Sequence, residues 1–572
     1  MPTLSDPRCR PISLHLGRSS TSSNLDSDPA SASLLGDGDA HRLQTVSNRA
    51  GVVAAGILLS RIAGLVRESV FAHYLGNSAA ADAFKAGFRI PNILQNLFGE
   101  GVLSASFIPV YSRLLSKGDQ EEADIVAWSV GAILATIVAL LVLIGVMAAP
   151  WLIDVIAPGF RGETRQLTIR IVQVLFPGAG ILVMSAWCLG VLNSHHRFFA
   201  SYAAPVAWNL TIIAALLWYG PWASQPRLAV HIAWASLIGA ILQMLVQLPQ
   251  TLQMLGRLRL CWARAQTELS MVFKNLLPVI ASRGVVQLSG YIDNLLASLL
   301  PSGAVAALNY AQILYLLPIS LFGMSVAAAE LPAMSQATGL SLTEGAAASA
   351  EILRRRLDAG LRQISFLVIP SAAAFLFIGD RIVAVLFQSG VFHHRDVIYV
   401  WSILAGSAVG MLAATMGRLY NSTYYALSDT RTPLRFAMIR VGLTLILGYL
   451  AAIVLPPDLG LARRWGVVGL SGSAGIAAWV EFSLLRRTLN RRLGPTGVGR
   501  AYLAQLWGMA LASSIVALTA ECLLPVNSRI SALVVIALYS TSYLGLAFWL
   551  RVPEFDRLLR QAFGRLVSTR QA

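Results

Sequence analysis

The sequence predicts an all-α polytopic membrane protein of about fourteen transmembrane helices, arranged as two pseudo-symmetric six-helix bundles plus two C-terminal helices. Three observations carry this. Only 13% of the 572 residues are charged while 56% are hydrophobic, against roughly 25% charged in a soluble domain. Apolar runs of about 20 residues, each long enough to cross a hydrocarbon core of about 30 Å as a helix, recur along nearly the whole chain. The two halves also repeat one another at an offset of about 223 to 228 residues. A soluble enzyme with one anchor, a disordered chain and a disulfide-stapled secreted chain are all excluded. Cys9, Cys188, Cys261 and Cys522 lie far apart without a CxxC pair, so they suggest packing, not a metal knuckle.

Residues 1–47, rich in Ser, Asp, Pro and Gly, lack an apolar core of signal-peptide length and are expected to form a disordered cytoplasmic tail. The predicted spans are then 50–75, 79–112, 124–148, 166–193, 200–220 and 227–251 in a first bundle (48–260). The second bundle (261–495) holds 271–299, 303–335, 357–380, 396–420, 434–455 and 465–489. Spans 501–525 and 529–551 make up a region 496–552 outside the repeat, followed by a basic tail, 553–572. Asn193-Ser194 precedes Pro205 as Asn421-Ser422 precedes Pro433, and Leu97-Phe98-Gly99 matches Leu321-Phe322-Gly323. Six spans separate the copies, so the bundles should be related by an axis along the membrane normal, as in many transporters.

The net charge of +16 sits in short gaps between apolar runs, which points to topology and not to nucleic acid. Alternate loops carry Arg113 and Lys117, then Arg257, Arg259 and Arg264, then Arg354, Arg355 and Arg356, then Arg486, Arg487, Arg491 and Arg492. That pattern is expected to place both termini of a multi-pass membrane protein in the cytoplasm.

Candidate site residues are the charges inside the first two spans, each costing about 2.5 to 3.5 kcal/mol near the bilayer centre. Arg61, Arg67 and Glu68 interrupt the first. Asp82, Lys85, Arg89, Asn92, Asn96 and Glu100 step by three or four along the second and share one helical face. Arg61 and Glu68 are two turns apart and are expected to pair, which leaves Arg67 for a ligand; Pro91 is expected to break the second helix. The competing reading is that these charges lock two helices together or snorkel. A cationic, watered cavity between bundles instead suits an anionic substrate, with phosphate favoured by the planar fork of arginine. The seventh span carries Arg283 and the lone carboxylate Asp293, which is a candidate Na+ or proton site or a packing partner for Arg283. His195-His196 and His393-His394 are neighbours on the chain and do not converge on a metal. With no P-loop and no nucleophile elbow, the chain reads as a transporter and not an enzyme, without a bound cofactor, its energy coming from ions or the membrane potential.

The runs Ser60-Arg61-Ile62-Ala63-Gly64-Leu65-Val66-Arg67-Glu68, Ala81-Asp82-Ala83-Phe84, Phe88-Arg89-Ile90-Pro91-Asn92 and Phe98-Gly99-Glu100-Gly101 closely resemble the start of the MurJ (MviN) family of the multidrug/oligosaccharidyl-lipid/polysaccharide exporter superfamily. Ala157-Pro158-Gly159-Phe160 and Ser428-Asp429 with Thr432-Pro433 extend the likeness over about residues 48 to 560. The resemblance implies a lipid II flippase of peptidoglycan and cell-wall biogenesis that works by alternating access. It implies that cavity arginines hold the undecaprenyl-linked pyrophosphate, and that the last two helices form a groove for the lipid tail. Arg61, Arg67, Asp82, Arg89 and Glu100 match the family motif. The family's further arginines on helices two and eight are absent, where this chain has Gln95 or Asn96, and Gln312-Ile313. Lys85 and Arg283 are the expected replacements. A related exporter with another cargo, or a non-transporting scaffold for wall-synthesis partners, is the alternative.

Overall fold

A computed structural model describes residues 56, 58–99, 103–104, 106–256, 270–272, 290–339, 346–523 and 529–557. The described elements all belong to the compact unit Ala55–Ala572, and no strand occurs among the described residues. Helices α1 (58–75), α2 (Ala79–Phe98), the short α3 (Ile108–Ser116), α4 (Gln120–Ile156), α5 (Gly162–Ser194), α6 (Phe198–Tyr219) and α7 (Gln225–Met254) build the first half. The second half holds α8 (290–298), then α9, which runs from Ala304–Pro318 through a π-helical turn Ile319–Met324 into Ser325–Gly339. It continues with α10 (Ala346–Phe377), α11 (Gly379–Phe387), α12 (His394–Ala426), α13 (Arg431–Tyr449) and α14 (Gly466–Leu493). Helices α15 (Arg500–Leu523) and α16 (Arg529–Trp549) close the chain.

Eleven described helices are long and apolar enough to cross a membrane. Neither α1 nor α2 is among them, because Arg61, Arg67 and Glu68 in one and Asp82, Lys85 and Arg89 in the other put three charges into each helix. Eleven of the expected fourteen spans are supported by length and apolarity, and α1, α2 and the described part of α8 fall at the places of the other three.

The expected second span, 79–112, is not one continuous helix. α2 passes unbroken through Pro91, against expectation, and stops at Phe98, with Gly99 extended as its C-cap. The repeat copy of this spot, Leu321-Phe322-Gly323, falls in the π-helical turn of α9, so both halves depart from α-helical geometry at the corresponding place.

In the first half α5 packs against α2, α4 and α7, and α6 lies along α7; in the second, α12 packs against α9, α10 and α14, and α13 lies along α14. Small residues set how closely these helices approach. A Cβ on Gly410 of α12 would stand 2.3 Å from the Gly475 Cα of α14, so neither position admits a side chain. Between the halves, α2 meets α9.

The two final helices pack on each other, α15 against α10 and α16 against α11. Their attachment repairs a defect. Pro370 within α10 has no N–H, which deprives the Phe366 carbonyl one turn earlier of its helical donor; the Tyr543 hydroxyl of α16 donates to it at 3.0 Å, and that of Tyr539 to the Pro370 carbonyl at 2.7 Å. Arg381 of α11 pairs with Glu521 of α15. At the opposite end Glu554, buried, accepts from Arg362 at 2.9 Å and from Tyr502 at 2.6 Å. In the loop before α13, Asp429 accepts from the Thr432 amide and hydroxyl and pairs with Arg492. These donors hold its carboxyl down at about 2, so the loop keeps its charged tie across the physiological pH range.

Candidate functional site

The charges of α1 and α2 meet on one another. Glu68, buried, accepts from Arg67 at 2.6 Å and from Lys85. Arg67 thus takes the carboxylate that was expected to pair with Arg61, and its guanidinium lies 4.7 Å from the centre of the Trp208 ring of α6, a cation–π contact. Arg61 reaches across to Ser320 of α9 at 3.3 Å. Lys85 lies over the rings of Phe71 and Tyr310, at 4.2 and 5.4 Å. One carboxylate therefore serves two cations, and neither long side chain is free to wander.

Arg89, one turn further along α2, points to the second half. It donates to the Gly290 carbonyl of α8 and to Gln312 Oε1 of α9 at 2.6 Å. Gln312 stands just before Ile313, the place where the resembled family carries a helix-eight arginine, and here it accepts from Arg89 of the second helix. Both partners are neutral, so the charge of Arg89 is not cancelled by a direct ion pair; Asp293 of α8 acts on it from farther away.

Arg67, Lys85, Arg89 and Asn92 line a cavity of about 250 Å³, walled otherwise by Phe71, Phe84, Phe88, Trp208 and Ile212 on one side and by Asn309, Gln312, Ile313 and Leu316 of α9 on the other. Three cations less the one carboxylate, Glu68, leave it with a charge of +2 in an apolar wall. Such a cavity favours a dianion, and arginine, with five donors of which each residue here has committed only one or two, has hydrogen bonds left to give.

Asp82, expected among the ligand-binding residues, does not line this cavity. Its two carboxylate oxygens accept from the backbone amides of Gly303 at 2.6 Å and Ala306 at 2.7 Å. It caps the buried first turn of α9, where unpaired N–H groups and the helix dipole favour an anion. Gly303 makes the cap accessible by taking a φ of +92°, a conformation that favours glycine. Around this cap the halves are stitched together: Asn77 donates to Asp396 at 3.0 Å, the Val391 amide to the His73 carbonyl at 2.9 Å, and the Tyr310 hydroxyl to the Gly76 carbonyl at 3.0 Å. This end of the cleft is shut.

Glu100 and Arg283 lie outside the described residues. Asp293 is half-buried, and its buried Oδ1 and both amide atoms of Asn294 have no hydrogen-bond partner among the described residues. Arg89 and Arg440 both act on it electrostatically. The sequence reading missed Arg418, Arg440 and Glu481, charges within spans ten, eleven and twelve; Arg440 pairs with Glu481 at 3.0 Å. The cost argument applied to the first two spans would have found them.

Fold and cleft define the class: a polytopic carrier with two helix bundles and a cationic, partly apolar cavity between them. A family model described as Lipid II flippase MurJ matches residues 71–544. Among curated relatives, a probable lipid II flippase MurJ of Rhizobium tropici is 30% identical over 482 residues, covering 82% of this chain and 89% of that protein. The lipid II flippase MurJ of Burkholderia cenocepacia is 31% identical over 462 residues, 79% of this chain and 86% of that one. A solved lipid II flippase MurJ in an inward closed conformation superposes with a TM-score of 0.70 at 22% identity, covering 87% of this chain and 98% of that structure. An inward-facing multidrug resistance MATE family transporter of the MOP superfamily gives 0.60 at 17% identity, over 76% and 95%. The chain belongs to the MurJ lipid II flippase family.

Proposed function

We propose that the cavity between α1, α2, α6 and α9 binds the pyrophosphate of lipid II, and that this chain carries lipid II across the inner membrane as part of peptidoglycan synthesis. The observation that supports the reading is the charge of +2 held by Arg67, Lys85 and Arg89 against Glu68 in an apolar pocket. Lys85 restores one of the two family cations this chain lacks. The closed end joins the halves through hydrogen bonds, a helix cap and the packed rings of Phe71, Tyr310 and Phe392, and alternating access requires all of these to part. Moving a dianion out of a negative interior yields about 2.3 kcal/mol per charge per 100 mV, enough to drive a cycle; Asp293 is the point where a Na+ or a proton would couple to the return. Helices α15 and α16, attached to the outside of the second half, would form the groove for the lipid tail.

Purified protein should bind lipid II, and the gene should rescue a strain depleted of its own lipid II flippase. Arg67→Ala should lose rescue while the protein remains in the membrane. Arg67→Lys should also be impaired, since an ammonium cannot make the two parallel hydrogen bonds of a guanidinium. Full rescue by Arg67→Ala would return these charges to a packing role. With both termini cytoplasmic, reporter fusions at residues 260 and 490 should read inside and one at 222 outside; the reverse pattern would invert the proposed direction of opening.

A further inference from the structure

The cavity at Arg67 and Arg89 is too small for a whole lipid II headgroup. At about 250 Å³ it lies below the roughly 300 to 1,000 Å³ of sites that enclose drug-sized ligands, and a disaccharide with a peptide is larger than those. The sugars and peptide must therefore rest against other walls of the cleft, which have polar features that the pyrophosphate does not use.

The most unusual of these is Arg418 of α12. It is exposed and makes no hydrogen bond or ion pair with a described residue. Asn421, Ser422 and Tyr425 follow at steps of three and four on the same helical face, each exposed or half-buried. A face of that composition turned to lipid would carry the full cost of an intramembrane charge, whereas turned to water it does not. Tyr315 of α9, Arg440 of α13 and Glu481 of α14 all act on it electrostatically, and α12 packs against both α9 and α14. Arg418 is eight residues from the Ala426 end of α12 and Arg440 nine from the Arg431 start of α13, about 12 to 14 Å of rise in each case. The loop joining those ends is short, so the two guanidinium groups stand at similar depth.

Their charges are not balanced locally. Glu481 is committed to Arg440, whose Nε remains buried without a partner among the described residues. Asp293, the other nearby carboxylate, is shared between Arg440 and Arg89. A guanidinium with open donors, beside a second one incompletely satisfied, is the chemistry that receives a carboxylate or phosphate oxygen.

We propose that Arg418, with Arg440 beside it, forms a second anion site in the second half of the chain, which takes a carboxylate or phosphate of the same cargo. The inference rests on the lipid II reading, and the cargo offers two sources: the carboxylates of its peptide and its pyrophosphate during entry. Arg418→Gln is the informative variant, because Arg418 has no partner to leave stranded, whereas Arg440→Gln would orphan Glu481. Its affinity for lipid II and for undecaprenyl pyrophosphate, which has no peptide, should be measured beside the parent and Arg67→Ala. A loss of about tenfold, equivalent to about 1.4 kcal/mol, with lipid II alone assigns the site to a peptide carboxylate; equal loss with both lipids assigns it to the phosphate. Arg418→Lys keeps the stem and charge and should recover part of the loss; if Arg418→Gln does not fold, Arg418→Lys against the parent carries the same comparison. Unchanged affinity for both lipids, with Arg67→Ala weakened, overturns the second site and leaves the first pocket standing. No binding by the parent removes the lipid II reading and this site with it.

Discussion

Arg89→Ala should weaken lipid II binding by roughly a hundredfold and abolish rescue of a flippase-depleted strain. The substitution lowers the pocket charge from +2 to +1 and removes the cation that both halves hold in common. A hydrogen bond to a charged group contributes about 1.5 to 3 kcal/mol, and each 1.4 kcal/mol is tenfold in affinity. Since Arg89 donates to neutral oxygens of Gly290 and Gln312, its removal strands no buried carboxylate in a direct pair, and the protein should still fold. Thermal melting in detergent separates the two effects: an unchanged midpoint with lost binding is the expected result, and a collapsed midpoint would make Arg89 a packing residue. Ile313 lines the same cavity, so Arg89→Ala combined with Ile313→Arg should regain part of the affinity by supplying the charge from α9. If the double variant binds no better than the single, position-specific hydrogen bonds outweigh net charge in this pocket.

The polar face of α2 was legible because a helix repeats every 3.6 residues, and Lys85, Arg89 and Asn92 do share a wall of the cavity. The sequence could not show that Asp82, on the same face, turns to the first turn of α9, because that partner is a set of backbone amides more than two hundred residues away. Nor does spacing along α1 decide which cation Glu68 takes. Arg61 is in register with it, but Arg67 has the length to bend back onto its neighbour, and Lys85 arrives from another helix. Pro91 misled for a physical reason. A proline costs a helix one hydrogen bond and a clash with the carbonyl one turn earlier, and α2 absorbs both and continues, so the bend falls at Gly99 instead. Charges in the second half were passed over: Arg418, Arg440 and Glu481 sit on three different helices, and only the fold brings them together.

Asp82→Ala should abolish export while leaving lipid II binding nearly intact, a separation that no cavity residue should give. In the parent the carboxylate receives the Gly303 and Ala306 amides at 2.6 and 2.7 Å, a strong contact at this end of the cleft because it sets a charge from one half against a helix N-terminus of the other. Losing two charge-assisted hydrogen bonds of about 1.5 kcal/mol or more each shifts the equilibrium between the closed and opened ends by on the order of a hundredfold or more. Asn77, Tyr310 and the His73–Val391 backbone pair remain, so the end loosens without coming apart. The shift is readable directly. Asn309 lines the cavity on α9, and Asn309→Cys in a background without the four native cysteines reports access to it from the outer side by a membrane-impermeant thiol reagent. Labelling should be slow with Asp82 present and at least several-fold faster with Asp82→Ala, and Asp82→Asn, which keeps one acceptor but not the charge, should lie between. Export lost with labelling unchanged would sink the latch; loss of lipid II affinity to the degree seen with Arg89→Ala would place Asp82 in the binding pocket after all.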